Sequence, residues 1–260
     1  MQSLPPPHHR QQRQRGVALF VVIVFVMMSM LLALWASRTS LFNEMLVGND
    51  ADYQRAFEAA QALLQDAELD IRGQNPDGTP CAAVNCRDKI SAALKIPLET
   101  QDVTPLLAVL DAADTKCSYG LCTKRTGRQD FWNKKDKTDL KAGEAMLGDM
   151  TKKNVGARYG QFSGAIVGSL GDTKTIANPI LADRSADDRG GWYWIEVMRY
   201  DESSKNSGLI VSESGTSTNN FLNMNLKPNV VYRITALAYG LKSNTMVVLQ
   251  QTYARQVRKD

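Results

Sequence analysis

Histidine is almost missing from this chain. His8 and His9 are the two present, and residues 10–260 contain none. Most of the chain therefore lacks the commonest general base and metal ligand. No Gly-x-x-x-x-Gly-Lys or Gly-x-Gly-x-x-Gly cradle for phosphates occurs. No run of Lys and Arg interleaved with aromatics marks a nucleic-acid face, and Lys134-Lys135-Asp136-Lys137 reads as a solvated mixed patch. Asp183, Asp187 and Asp188 lack the rhythm of a calcium loop, and Arg184 and Arg189 interleave with them, so an exposed acidic turn is the expectation. The residue pattern thus supports no catalytic centre, no cofactor, no metal and no nucleic acid. Charge is missing too: residues 1–16 hold no acid, and residues 17–37 hold no charged side chain at all.

That uncharged stretch comes directly after Arg10, Arg13, Arg15 and Gly16. At about 1.5 Å per residue a helix of this length is about 31 Å long, which matches the roughly 30 Å hydrocarbon core of a bilayer. Basic residues before a span stay in the cytoplasm, so the inner membrane would be crossed once and the remainder would lie in the periplasm. An ordinary signal peptide fits less well. The run is long for one, no A-x-A site follows, and a helical pattern continues beyond it. Residues 38–72 form the amphipathic half of the same element. Phe57, Ala60, Leu64, Ala67 and Ile71 share one face, and Glu58, Gln61, Gln65, Glu68 and Arg72 lie largely on the other. Gly73 is a left-handed cap candidate, followed by turn residues. Gly48-Asn49 is the weak point, where a bend or a melted turn is expected because both residues are poor helix formers.

Cys81, Cys86, Cys117 and Cys122 all lie beyond the span, in two pairs of equal spacing. In an oxidising compartment they read as two disulfides. Four intervening residues is the edge of the range for zinc ligands, so a metal site is the weaker reading. Three connectivities are open, with proximity favouring Cys81 with Cys86 and Cys117 with Cys122. Without Arg10, Arg13 and Arg15, the chain has 28 basic residues against 27 acidic ones, so the exported part is close to neutral.

Residues 73–158 read as an irregular, cysteine-containing insertion with short helical patterns at 88–95 and 105–112. Residues 115–158 resist assignment, and Trp132 is taken as an anchor tucked under them. From residue 159 the period changes to two. Strands are expected at 191–200, 230–239 and 245–257, with a hairpin loop at 240–244 and a short edge strand at 209–211. In the second strand Val230, Tyr232, Ile234, Ala236 and Ala238 share a face opposite Arg233 and Thr235, and the small alanines suit close approach of a helix. The long polar connection over 201–229 is either a contact surface for a neighbour or disordered. The fold class is α+β: a long N-terminal helix, half transmembrane and half amphipathic, packed on a C-terminal antiparallel sheet in residues 159–260.

Arg13-Gln14-Arg15-Gly16 followed by Val17-Ala18-Leu19-Phe20-Val21 resembles the leader and first mature residues of a type IV prepilin. Ala56-Phe57-Glu58-Ala59-Ala60, Tyr159-Gly160-Gln161-Phe162-Ser163-Gly164-Ala165 and Thr245-Met246-Val247-Val248-Leu249-Gln250-Gln251-Thr252-Tyr253 resemble the PilX family of minor pilins. The resemblance implies cleavage between Gly16 and Val17 by prepilin peptidase, methylation of the new terminus, and a role in pilus assembly, priming or the tip, with twitching motility and adhesion. The implied partners are other minor pilins, the major pilin and a PilY-type tip adhesin. Phe20, Val21, Phe25, Met28 and Trp35 would supply helix packing in the fibre. Most such pilins carry glutamate where this chain has Val21, and its absence suits a place at the end of the fibre. A type II secretion pseudopilin and a single-pass anchored periplasmic binding or enzymatic domain are the alternatives.

Overall fold

The computed structural model describes residues 15–82, 84–90, 92–134, 138, 140–141, 143–169, 177–201, 209–211, 217–218 and 229–255. Expectations for residues 1–14 and 135–137, and for most of 201–229, lie outside these. The chain divides into two units, Met1–Asp50 and Ala51–Asp260.

Helix α1 runs from Arg15 to Arg72. The melted turn expected at Gly48-Asn49 is not there, since both residues are helical. A glycine costs about 1 kcal/mol inside a helix, and long flanks make that cost easy to bear because breaking the helix would need two new ends and a second nucleation. The stop comes where expected. Gly73 has φ +64°, its N–H donates to Asp70 O at 3.1 Å, and the Gln74 N–H donates to Leu69 O at 3.0 Å. That pair of bonds is a Schellman cap.

After the cap come α2 (Arg87–Ile90) and α3 (Thr100–Asp111), close to the expected helical patterns. The sheet then begins earlier than residue 159. Strands β1 (Cys117–Ser118) and β2 (Leu121–Thr123) form a hairpin through Tyr119 and Gly120, whose φ values of 49° and 81° fit a type I′ turn. A Cβ on Gly120 would lie 2.5 Å from the Ala157 Cβ, so that position needs glycine for space as well as for its backbone. Strand β2 lies parallel to β3 (Gly191–Asp201), with Leu121 opposite Ile195. Two-period patterning cannot announce a three-residue strand that joins a sheet far along the chain.

Short helices α4 (Leu147–Met150) and α5 (Pro179–Ala182) precede β3. The end of β3 pairs with β4 (Leu209–Val211), the expected short strand, which pairs with β5 (Ser217–Thr218). Along its length β3 pairs antiparallel with β6 (Val230–Tyr239), and β6 pairs with β7 (Met246–Tyr253). The main sheet is therefore β1-β2-β3-β6-β7, and the fold is α+β.

One face of the sheet shares a core with the outer half of α1. Ala56, Ala59, Ala60, Leu63, Ala67 and Ile71 are buried with Tyr193, Ile195, Tyr232, Ile234, Ala236 and Ala238. A Cβ on Gly191 would sit 2.6 Å from Leu63 Cδ1, a measure of how closely helix and sheet approach. The opposite face, on which Arg233 and Thr235 stand, is covered as well. Trp192, Trp194 and Leu237 form a second core with Cys117, Cys122, Phe131 and Met150. Trp132 packs against this core as expected, but the more deeply buried anchor is its neighbour Phe131. Phe131 is buried and meets Trp194 edge-on at 4.8 Å, while Trp132 is half-buried.

The cysteines pair locally, Cys81 with Cys86 and Cys117 with Cys122, and the second bridge joins residues directly opposite each other in the β1–β2 hairpin. Each closes a loop of separation 5, for which chain entropy gives about 2 kcal/mol. Replacing Cys117 and Cys122 by alanine is expected to lower stability by about that amount. Urea unfolding of the detergent-purified chain, with and without reductant, measures it. A variant as stable as the oxidised parent would show that the bridge constrains nothing.

Candidate assembly interface

The first unit presents an apolar rod. An 18-residue window of α1 reaches a mean hydropathy of 3.0 with none of it buried, long and apolar enough to cross a membrane. Val17, Phe20, Phe25, Met28 and Trp35 are each more than half exposed, and Val21 is 43 % exposed. Gly16 belongs to the same helix. Two hydroxyls on this rod satisfy themselves locally. Ser29 donates to Val26 O at 2.8 Å and Thr39 to Trp35 O at 3.0 Å. In hydrocarbon, where water cannot accept those protons, such back-bonding removes the cost of a lone hydroxyl.

The second unit is organised by three carboxylates on α1. Asp52, Asp66 and Asp70 are buried on the stripe that also holds Ala56, Ala59 and Leu63. Each receives a different loop. Asp52 accepts the N–H groups of Leu241 (2.8 Å) and Lys242 (3.1 Å), tying the β6–β7 loop to the helix. Burial pushes this carboxyl up, but the Thr245 hydroxyl and the two N–H donors outweigh it and hold the group below its usual range. Asp66 accepts the Gly160 N–H at 2.8 Å and bonds the Ser163 hydroxyl, which in turn accepts the Ala165 N–H at 3.2 Å. Asp70 accepts from Nε and Nη2 of Arg87 and from the Tyr193 hydroxyl at 3.0 Å. Arg87 follows the disulfide partner Cys86, donates to Tyr119 O at 3.0 Å and lies over the Phe162 ring at 4.0 Å. Burial alone would lower its pKa, yet Asp70 raises it overall. Sequence reasoning passed over these acids. The signal was available, because 52, 56, 59, 63, 66 and 70 repeat at four and three along one stripe.

Burial raises Asp66 to about 7, with Asp70 adding to the rise and Ser163 and Gly160 opposing it. The folded state then holds a proton that the unfolded chain, at about 3.9, has given up. Stability is therefore expected to fall as pH rises from about 4 through 7 and to level off above that. Asp66→Asn reproduces the hydrogen bonding of the protonated acid and should flatten the dependence. Urea midpoints between pH 5 and 8 decide it, in a range where His8 and His9 are the only histidines to titrate. An unchanged slope in the variant would assign the effect to other groups.

On the second face Glu196 is buried between Arg125, at 3.4 Å, and Arg233, which also bonds Gln129. Burial brings the Arg125 guanidinium down to about 10, against the pull of Glu196. The acidic turn is built by its own side chains. Asp183 accepts from the Ser185 N–H and hydroxyl, while Arg158 donates to Ala186 O and Arg189 O and stacks 3.6 Å from the Trp192 ring.

An apolar, uncharged helix leading into an α+β domain of this plan is the architecture of a pilin-type subunit. Residues 15–65 match the PilX N-terminal family, and residues 118–255 match the family described as type IV pilus assembly protein PilX, C-terminal part. The chain belongs to the PilX family of type IV pilus pilins, which are structural pilus components. No curated protein and no solved structure matches it.

Proposed function

We propose that this protein is a minor pilin that primes or caps a type IV pilus. The observation carrying this reading is the conjunction, in one chain, of both family segments with an exposed apolar helix that includes Gly16-Val17. Prepilin peptidase removes residues 1–16, and Val17 becomes the methylated terminus. The domain beyond the span faces the periplasm and joins other minor pilins, the major pilin and a PilY-type tip adhesin, contributing to fibre biogenesis, twitching motility and adhesion. The subunit is not an enzyme. Lipid tails are as apolar as the helix, so packing of Phe20, Phe25, Met28 and Trp35 against neighbouring helices supplies the association in the membrane.

N-terminal sequencing of the membrane-extracted protein tests the assignment. A chain beginning at methylated Val17 supports it, and an intact Met1 favours an anchored periplasmic domain instead. Val21 adds a second expectation. A carboxylate in the bilayer needs a partner, and family members with glutamate at this place offer one to a neighbouring subunit's amine. Val21 cannot, so immunogold labels on sheared pili are expected at fibre ends. Even labelling along the shaft would refute the end position.

A further inference from the structure

The main sheet has two edges of very different character. At one, β1 is two residues long and tied to β2 by a disulfide. At the other, β7 runs eight residues and, among the described residues, pairs with β6 alone. Its register is unbroken from Met246 opposite Tyr239 to Tyr253 opposite Tyr232, with no bulge. Residues 246–253 contain no charge, proline or glycine. Natural edge strands usually carry such guards against pairing with another chain.

The hydrogen-bond phase says which groups face outward. Gly240 N–H donates to Thr245 O at 2.8 Å, whereas Tyr239 N–H turns the other way, to Gly190 O at 2.9 Å. Alternation from that point places Val247, Leu249, Gln251 and Tyr253 in the ladder with β6. Met246, Val248, Gln250 and Thr252 are left with N–H and C=O directed away from the sheet. Apolar side chains at the start of the strand are incompletely covered on both faces: Leu249 is half-buried on the α1 face, and Met246 and Val248 are half-buried on the other.

We propose that β7 is a docking edge that accepts an extended segment of a different polypeptide as an added strand. Consecutive apolar residues of that segment would lie opposite 246–249, because both faces of the edge are open to burial there. A second copy of β7 fits poorly. The two longest antiparallel self-pairings that match outward residues with outward residues are centred on Leu249 and on Gln250. They set Val248 against Gln250 or Thr252 and Val247 or Leu249 against Gln251, apolar against polar. The inference stands on the edge alone and survives if the pilus role fails.

The test uses the full chain in the membranes of the cells that make it, with p-benzoylphenylalanine placed at Thr252 as the photochemical probe. Irradiation is expected to give an adduct whose attachment, mapped by mass spectrometry, lies in an apolar segment of another protein. Gln250→Pro removes one outward N–H and spares the β6 ladder, so the adduct is lost while circular dichroism stays unchanged. Gln250→Ala keeps the adduct. Attachment within the chain itself, to a second copy, or to lipid only overturns the proposal, as does an adduct indifferent to Gln250→Pro. Hydrogen exchange of 246–253 serves should the proline variant misfold. Slower exchange in membranes than in the detergent-purified chain supports the proposal, and equal exchange overturns it.

Discussion

Arg87→Ala is expected to destabilise the protein by about 3–5 kcal/mol, the range for breaking a buried ion pair from one side. Arg87 is 4 % exposed and Asp70 is 2 % exposed, so neither charge can turn to water when its partner goes. The alanine variant leaves a carboxylate buried one helical turn from Asp66, whose own carboxyl is already raised to about 7. It also removes the cation over Phe162 and the donor to Tyr119 O, loosening the loop after the Cys81–Cys86 bridge. Domains typically have about 5–15 kcal/mol to lose, so a large share disappears. The double variant Asp70→Leu with Arg87→Met should recover most of it, since no charge is then left unpaired. Urea unfolding of the detergent-purified chain gives both numbers. A loss below about 1 kcal/mol for Arg87→Ala would mean that water reaches the pair and that it behaves like a surface salt bridge.

Gly16→Val is expected to abolish removal of the leader. Without a Cβ, Gly16 lets the backbone enter a narrow protease site at the membrane face, and a β-branched replacement both fills that space and stiffens the chain. The unprocessed protein would be heavier by about 1.8 kDa, sixteen residues at the mean residue mass of this 28.7 kDa chain. A gel that resolves this difference decides the outcome, and Gly16→Ala should be processed in part. Equal mobility of parent and Gly16→Val would remove the pilin maturation route.

Much of the fold can be read along the chain because its signals are local. A charge-free run reports a span, a three-and-four repeat reports the outer helix, and Gly73 ends it. Period-two patterning located β6 to the residue and β3 to within one. Both disulfides fell within the nearest pairing that proximity favours. What escaped is non-local. The strand Leu121–Thr123 is too short to show a period and acquires its meaning from β3, far along the chain. Arg233 and Thr235 alternate with apolar residues, which placed them on the right face. Alternation cannot say whether that face meets water, and here Glu196 neutralises Arg233 beneath a second core.

The sequence by itself determined that an apolar helix leads, that it continues as one face of a folded domain, and that four cysteines stand beyond it. These follow from composition and period, which depend on neighbours within a few residues. Tertiary structure alone decided which loop each of Asp52, Asp66 and Asp70 holds. It also decided that the sheet is covered on both faces and that, among the described residues, β7 is left as its long unguarded edge. A carboxylate reads as polar surface until a distant N–H, hydroxyl or guanidinium is brought within bonding distance, and only the closed fold does that.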